Sequence, residues 1–295
     1  MPLLPFVLAT IGTYANAPAG TVSQLPPEIL NRKEIEATRA MREGAPAVPE
    51  PSPAYTTSGG GCVDDMAANP ATGAMAAQKA LDRATGEARV RAGLCLGVAL
   101  GAMDRWEEAR AAFVRARDAA SPTDSASRAR LGAMAGNAAL AAGSASTALP
   151  ILNVAAADAG TAHNGDLAGT IAMDRARALV ALGQDAQAAT ALADARAALP
   201  DNAQAWLLSA TLSRRQDRLG DAQAQIERAA QLGGTDPDVG PQIGLEAGVI
   251  AMLAGRQEAA DKSWQSVVSA APQSDAAKTA KGYLAQLASG ASARP

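Results

Sequence analysis

From residue 62 onward, Ala-rich stretches of 12 to 16 residues alternate with short breaks. The breaks at 142–144, 182–184 and 254–256 each contain a Gly, a residue expected at turns between helices. Aromatic residues make up only 3% of the chain, and sheets are enriched in aromatic and β-branched side chains. Because Ala has the highest helix propensity, the pattern predicts a series of helices rather than a sheet.

One spacing of small and large residues recurs in five places. A small residue is followed 12 positions later by an Ala, in the pairs Gly97–Ala109, Gly136–Ala148, Ala176–Ala188, Ala210–Ala222 and Gly248–Ala260. Four residues after that Ala comes a large apolar residue, which is Phe113, Leu152, Leu192, Ile226 or Trp264. Residues four apart share one helix face. We therefore expect the glycines to face a neighbouring backbone and the large residues to be buried between successive hairpins.

This pattern resembles the tetratricopeptide repeat (TPR) family. Its 34-residue helix–turn–helix unit carries W-x2-L-G-x2-Y, then A-x3-F, then Pro. The matching residues are Leu96-Gly97, Leu100, Ala109 and Phe113, with Trp206 at the Trp position and Pro200 and Pro272 at the Pro position. The Tyr of the motif is absent and its Trp occurs once. A generic Ala-rich helical bundle is the alternative.

The resemblance implies an all-α fold, an α-solenoid of stacked antiparallel hairpins in a right-handed superhelix. A single hairpin cannot bury its apolar face, whereas a stack forms a continuous core. The expected parts are a leading half-unit 62–89, units 90–123, 129–162, 169–202, 203–236 and 241–274, and a capping helix 275–288. The extra residues between units one and two, two and three, and four and five are expected to form longer turns.

The first 61 residues do not look like a folded domain. Leu3–Ile11 is a short apolar run, and Ala15-Asn16-Ala17 resembles a signal-peptidase site, so residues 1–17 resemble a secretory signal. The first basic residue is Arg32, which leaves a frayed apolar N terminus as the alternative. Residues 18–61 are rich in Pro and Gly and are expected to form a disordered tether, with a possible short helix at Glu34–Arg42.

Charge and composition exclude several classes of protein. The formal net charge of −3 argues against a nucleic-acid binder. No apolar run approaches the roughly 20 residues of a membrane span. The single histidine, His163, lies in a polar turn, and neither a P-loop nor metal-ligand spacing is present. The sequence therefore predicts no enzyme activity, no cofactor and no metal site.

The two cysteines, Cys62 and Cys95, lie about one repeat apart. Equivalent helices of successive TPR units lie side by side, so the resemblance lets these cysteines meet as a disulfide. Such a bond would indicate an oxidising compartment. Two buried, reduced thiols are the alternative.

In the TPR family the first helix of each unit lines the concave partner-binding groove. Carried onto this sequence, the groove comprises Arg91, Leu94, Arg130, Asn137, Met173, Arg177, Leu207, Thr211, Arg214, Leu245, Val249 and Met252. The row contains several Arg and no Asp or Glu, which favours a partner with carboxylates between apolar anchors, because Arg binds carboxylates bidentately. Ordinary solvated Arg side chains are the alternative.

The resulting hypothesis is a non-enzymatic TPR scaffold, exported to the bacterial periplasm or envelope, that binds a protein or peptide. The alternative is a cytoplasmic TPR adaptor or co-chaperone. Leu94 and Val98 count against that alternative, because chaperone-binding TPRs have Lys and Asn at these positions. The sequence does not indicate the partner's identity or the oligomeric state.

Overall fold

The computed structural model describes residues 69–292, with side chains described to residue 288. The signal-like segment 1–17, the tether 18–61 and the predicted helix Glu34–Arg42 lie outside the described residues. So do residues 62–68 of the predicted leading half-unit.

Twelve α-helices and no strand make up residues 69–292. In chain order they are α1 (Pro70–Arg83), α2 (Gly86–Ala102), α3 (Trp106–Ala119), α4 (Ser125–Ala141), α5 (Ala145–Thr161), α6 (Gly165–Ala181), α7 (Asp185–Ala198), α8 (Ala203–Arg215), α9 (Leu219–Gly233), α10 (Gly240–Leu253), α11 (Gln257–Ala270) and α12 (Asp275–Ser292).

Local chemistry sets the helix ends. Asn69, Asp124, Asn164 and Asn202 each accept a backbone N–H in the first turn of the helix that follows, which satisfies an otherwise unpaired donor. The turn inside each hairpin needs one residue of positive φ. Gly143, Gly183 and Gly255 supply it in three hairpins, and Asp104 and Asp217 supply it in the other two.

Each helix packs mainly on the helices next to it in the chain. The pairs α2–α3, α4–α5, α6–α7, α8–α9 and α10–α11 form five antiparallel hairpins, and each hairpin also contacts the next. This arrangement is an α-solenoid, as predicted. The apolar residues form overlapping clusters along the stack, and each cluster includes residues of successive hairpins.

The five large residues of the recurrent pattern are buried as predicted. Phe113, Leu152, Leu192, Ile226 and Trp264 are between 0% and 6% exposed. The predicted surroundings of the glycines are wrong. A Cβ added at Gly97, Gly136 or Gly248 would overlap the side chain of Phe113, Leu152 or Trp264, not a neighbouring backbone. Each glycine thus makes room for the large residue of its own hairpin.

A second row of glycines, missed in the sequence, lies one helical turn earlier. Gly93 and Gly132 face Ala116 and Ala155 on the second helix, and their added Cβ atoms would lie 2.8 and 2.9 Å from the Ala Cβ atoms. Here the two helices of a hairpin come close enough that only Gly opposite Ala fits. A G-x3-G pair on the first helix therefore sets the spacing of these hairpins.

The extra residues between units were predicted to form longer turns, and for the first two gaps this is wrong. Helix α4 begins at Ser125 and α6 at Gly165, so most of those residues lengthen the helices. Helices α2, α4 and α6 each have 17 residues, against 13 in α8 and 14 in α10. The difference is about one turn of 3.6 residues. Residues 237–239, between α9 and α10, do lie in a turn.

Helix α12 closes the C-terminal end of the stack. Tyr283, Leu284 and Leu287 pack partly buried in a cluster with Trp264 and other residues of α10 and α11. The Tyr283 and Trp264 rings lie 5.0 Å apart between centroids. The apolar face of the last hairpin is thereby covered.

Candidate partner-binding face

The first helices of the hairpins approach one another along one side of the stack. Direct contacts join α4 to α6, α8 to α10 and α10 to α12, in addition to the contacts within each hairpin. In a curved stack, elements that approach their equivalents most closely lie on the inner side. We call the surface of α2, α4, α6, α8 and α10 the inner face.

A buried carboxylate links α4 and α6 on the inner face. The Asn137 Nδ2 donates to Asp174 Oδ2 at 2.8 Å, and Arg177 Nη1 donates to Asp174 Oδ1 at 2.9 Å. Asp174 is only 2% exposed. Its burial raises the pKa of the carboxyl group, while Arg177 and Asn137 oppose that rise. The cluster fixes the relative position of two neighbouring inner helices.

A second ion pair links α8 and α10. The Arg214 Nε donates to Glu246 Oε1 at 2.6 Å, and Nη2 donates to Oε2 at 3.4 Å. Both side chains are less than a tenth exposed. The charges of Arg214 and Glu246 both act on the ionisation of Tyr283 in α12. Burial raises the pKa of Tyr283 to about 12, with Arg214 opposing and Glu246 adding to the rise.

These acidic residues correct the predicted cationic groove. The row of candidate residues contained no Asp or Glu, yet Asp174 and Glu246 lie on the same first helices. Arg214 is buried in its ion pair, whereas Arg177 donates one hydrogen bond to Asp174 and remains 37% exposed, so its contact with a partner stays a prediction. Arg91, which is exposed, lies 3.5 Å from Glu87. The sequence contained one indication of this pairing, because Asp174 and Arg177 are three residues apart and therefore lie on one helix face.

The other candidate residues differ in exposure. Met173, Leu207 and Val249 are buried, at 7%, 5% and 7% exposure, and contribute to the core. Each packs against neighbouring helices, so the structure gives these three residues a role in the core, and their contact with a partner stays a prediction. Asn137 is exposed, and Leu94, Arg130, Thr211, Leu245 and Met252 are half-buried. For these residues partner binding stays a prediction.

No protein-family model matches the chain, and a search of curated proteins gives no match. Solved structures are similar in fold. TTC0263, a thermophilic TPR protein from Thermus thermophilus, has 22% identity and a TM-score of 0.50 over 66% of this chain and 98% of its own. PilW, a type IV pilus biogenesis factor, has 16% identity and a TM-score of 0.58 over 74% of this chain and 94% of its own. The chain has the tetratricopeptide-repeat fold.

A third TPR-like neighbour extends over most of the described residues. The apo form of the quorum sensor NprR from B. thuringiensis has 13% identity and a TM-score of 0.58 over 90% of this chain and 71% of its own. The predicted TPR resemblance is thereby confirmed as a fold.

The predicted disulfide falls partly outside the described residues. Cys95 lies half-buried on α2, beside the first core cluster. Cys62 precedes the first described residue, so its pairing with Cys95 stays a prediction.

The remaining polar groups of the TPR stack do not form a metal-binding cluster within residues 69–292. No group of three His, Cys, Asp or Glu side chains in that range converges to hold a metal ion. His163 is exposed in the turn between α5 and α6. Among the described helices, none is long and apolar enough to cross a membrane.

Proposed function

We propose that the protein is a non-enzymatic scaffold that holds a protein or peptide partner on its inner face. The observation that carries this proposal is the row of first helices, in which Asp174 joins α6 to α4 and the Arg214–Glu246 pair joins α8 to α10. Side-chain links between successive units stiffen the face before a partner arrives, which lowers the entropy lost on binding. The similar solved structures are named for assembly or sensing rather than for a reaction.

The inner face is apolar at its two ends and polar between them. Leu94 and Val98 are half-buried near the N-terminal end, and Leu245 and Met252 near the C-terminal end. Because the central charges are paired with each other, the face suits a partner with apolar anchors at both ends. Half-buried Leu, Val and Met side chains provide adaptable apolar contact area.

Two threonines provide a matched test of the inner face. Thr170 lies on first helix α6, one turn before Asp174, and Thr190 lies on second helix α7. Both are exposed, and each hydroxyl donates to the carbonyl four residues earlier. In this test, the tagged full chain is used to capture a partner from a cell-envelope extract. The affinity of the purified partner is then measured for the wild type and for each variant.

Thr170→Glu should weaken binding about tenfold or more, because an unpaired charge buried at the interface costs at least about 1.4 kcal/mol. Thr190→Glu should bind like wild type. Equal loss in both variants, or no loss with Thr170→Glu, would refute binding on the inner face.

We propose further that the chain is exported to the bacterial envelope, with a cytoplasmic adaptor as the alternative. The signal-like residues 1–17 and the possible Cys62–Cys95 bond support export. Fractionation of cells expressing the full chain, followed by thiol alkylation without reductant, tests this. Export predicts a periplasmic product with both thiols protected, whereas a cytoplasmic product with two alkylated thiols would contradict it.

A further inference from the structure

A groove near the N-terminal end of the described stack lies between α1 and α3, over α2. Its volume is about 760 Å³. Leu96, Leu100 and Met103 of α2 form the floor, and Met75 of α1 lines the wall with 69% of its surface exposed. A methionine this exposed beside an apolar floor is typical of a binding surface.

The rim of this groove carries an excess of positive charge. Lys79, Arg83 and Arg115 are exposed lining residues that form no ion pair with a described carboxylate, while the one other carboxylate of the rim besides Glu108, Asp82, accepts a hydrogen bond from Gln78. The rim's fourth cation, Arg105, is already bound by Glu108, with Nη2–Oε2 at 2.6 Å. An apolar floor with uncompensated cations above it suits a segment with carboxylates and apolar side chains.

The chain itself contains such a segment next to the groove. Residues 69–295 contain as many Asp and Glu as Lys and Arg, so the net charge of −3 lies in the first 68 residues. Within them, residues 43–65, which we call the acidic segment, contain four carboxylates and no Lys or Arg. The carboxylates are Glu43, Glu50, Asp64 and Asp65. The segment also contains Val48, Tyr55 and Val63.

Chain length allows this contact. The acidic segment ends four residues before Asn69, and α1, which follows, is itself a wall of the groove. A 14-residue helix is about 21 Å long, and about seven extended residues cover that distance. Tethering of this kind gives an effective concentration near the millimolar range, which favours the tethered segment over a free acidic peptide of equal affinity.

We propose that the acidic segment of this chain occupies the α1–α3 groove, with its carboxylates against Lys79, Arg83 and Arg115. The contact covers the N-terminal end of the stack, as α12 covers the C-terminal end. It is separate from the partner contact proposed for the inner face, because Lys79, Arg83 and Arg115 lie on α1 and α3, and the groove shares only its floor on α2 with the first helices.

Zero-length crosslinking of the full chain tests this contact. A water-soluble carbodiimide activates a carboxylate, the Lys79 amine displaces the urea, and an amide bond forms between the two residues. Mass spectrometry then identifies the partner of Lys79. Lys281 on α12 is the control, because it is also exposed and, among the described residues, bonds to the Pro272 carbonyl and forms no ion pair. A mixture of ¹⁵N-labelled and unlabelled chains distinguishes crosslinks within one chain from crosslinks between chains.

Lys79 should join the acidic segment within one chain several-fold more often than Lys281 does, and 1 M salt should reduce that yield. The double variant Arg83→Glu/Arg115→Glu should reduce the Lys79 yield, whereas Lys262→Glu/Lys278→Glu, with the same change in net charge, should not. Crosslinks found only between chains would show that a second copy occupies the groove. That result, or a Lys79 yield equal to that of Lys281, would overturn the proposal.

Discussion

The ion pair between Arg214 and Glu246 gives the sharpest prediction about stability. The guanidinium donates two hydrogen bonds to the carboxylate, and the side chains are 8% and 9% exposed. Glu246→Ala removes the carboxylate and leaves Arg214 buried without its counter-charge. Because the Arg214 side chain is only 8% exposed, it is poorly hydrated, and the variant bears the desolvation cost of the unpaired arginine.

Loss of one partner from a buried ion pair costs about 3–5 kcal/mol. The pair Lys262–Glu258 on α11 is the matched control. Its atoms are 2.7 Å apart, but its side chains are 72% and 83% exposed. Exposed pairs contribute about 0.2–1 kcal/mol, because water replaces the lost partner. Glu246→Ala should therefore be several times more destabilising than Glu258→Ala.

Urea unfolding followed by circular dichroism and by tryptophan fluorescence measures both variants, with agreement between the probes as the test of a single transition. The double variant Arg214→Met/Glu246→Leu should recover most of the loss, because it leaves no buried charge. If Glu246→Ala and Glu258→Ala cost the same, or if the double variant recovers nothing, the reasoning about this pair is refuted.

Three further predictions concern packing and pH. Leu192→Ala in the middle of the stack should lower the free energy of unfolding by about 2–5 kcal/mol, and near-neutral behaviour in urea unfolding would contradict the packing described. Gly136→Ala should lower the free energy of unfolding by about 1–3 kcal/mol, because the added Cβ would overlap the buried Leu152. Gly282→Ala should raise it by about 0.5–1 kcal/mol, because its Cβ would meet no atom within 4 Å and Ala favours the helix. Equal shifts of the melting temperature in the two variants would contradict this. Burial raises the pKa of Tyr283 to about 12 in the folded protein, above its ordinary value of 10.0. Wild-type stability should therefore fall as pH rises from 10 to 12, since the unfolded chain loses this proton first. Tyr283→Phe should lose less stability than wild type over the same pH range. Identical melting curves of the two proteins at alkaline pH would contradict this prediction.

Much of the fold followed from spacing alone. Five repeats of small, Ala and large residues specified the helix pairs and the burial of residues such as Leu152 and Trp264. The spacing did not reveal which surface each glycine faces, because a small residue accommodates either a backbone or a large side chain. The extra turn of α4 and α6 was also missed, since the added residues include Gly, Asn and Asp, which occur in loops and at helix starts alike.

The inner face was less predictable than the fold. The repeat register placed Arg177 and Arg214 on first helices, where the structure has them. It could not show that Asp174 and Glu246 lie beside them, because each carboxylate occupies a position outside the row carried over from the family. The pairing of Arg214 depends on Glu246, which lies 32 residues away on another helix, whereas Arg177 pairs with Asp174 three residues earlier on its own helix.

Hydrogen–deuterium exchange of the full chain, with and without its captured partner, tests the central claim most directly. Amides of α2, α4, α6, α8 and α10 should exchange more slowly in the complex, while those of α3, α5, α7, α9 and α11 should change little. Slower exchange confined to the second helices would contradict a partner site on the inner face.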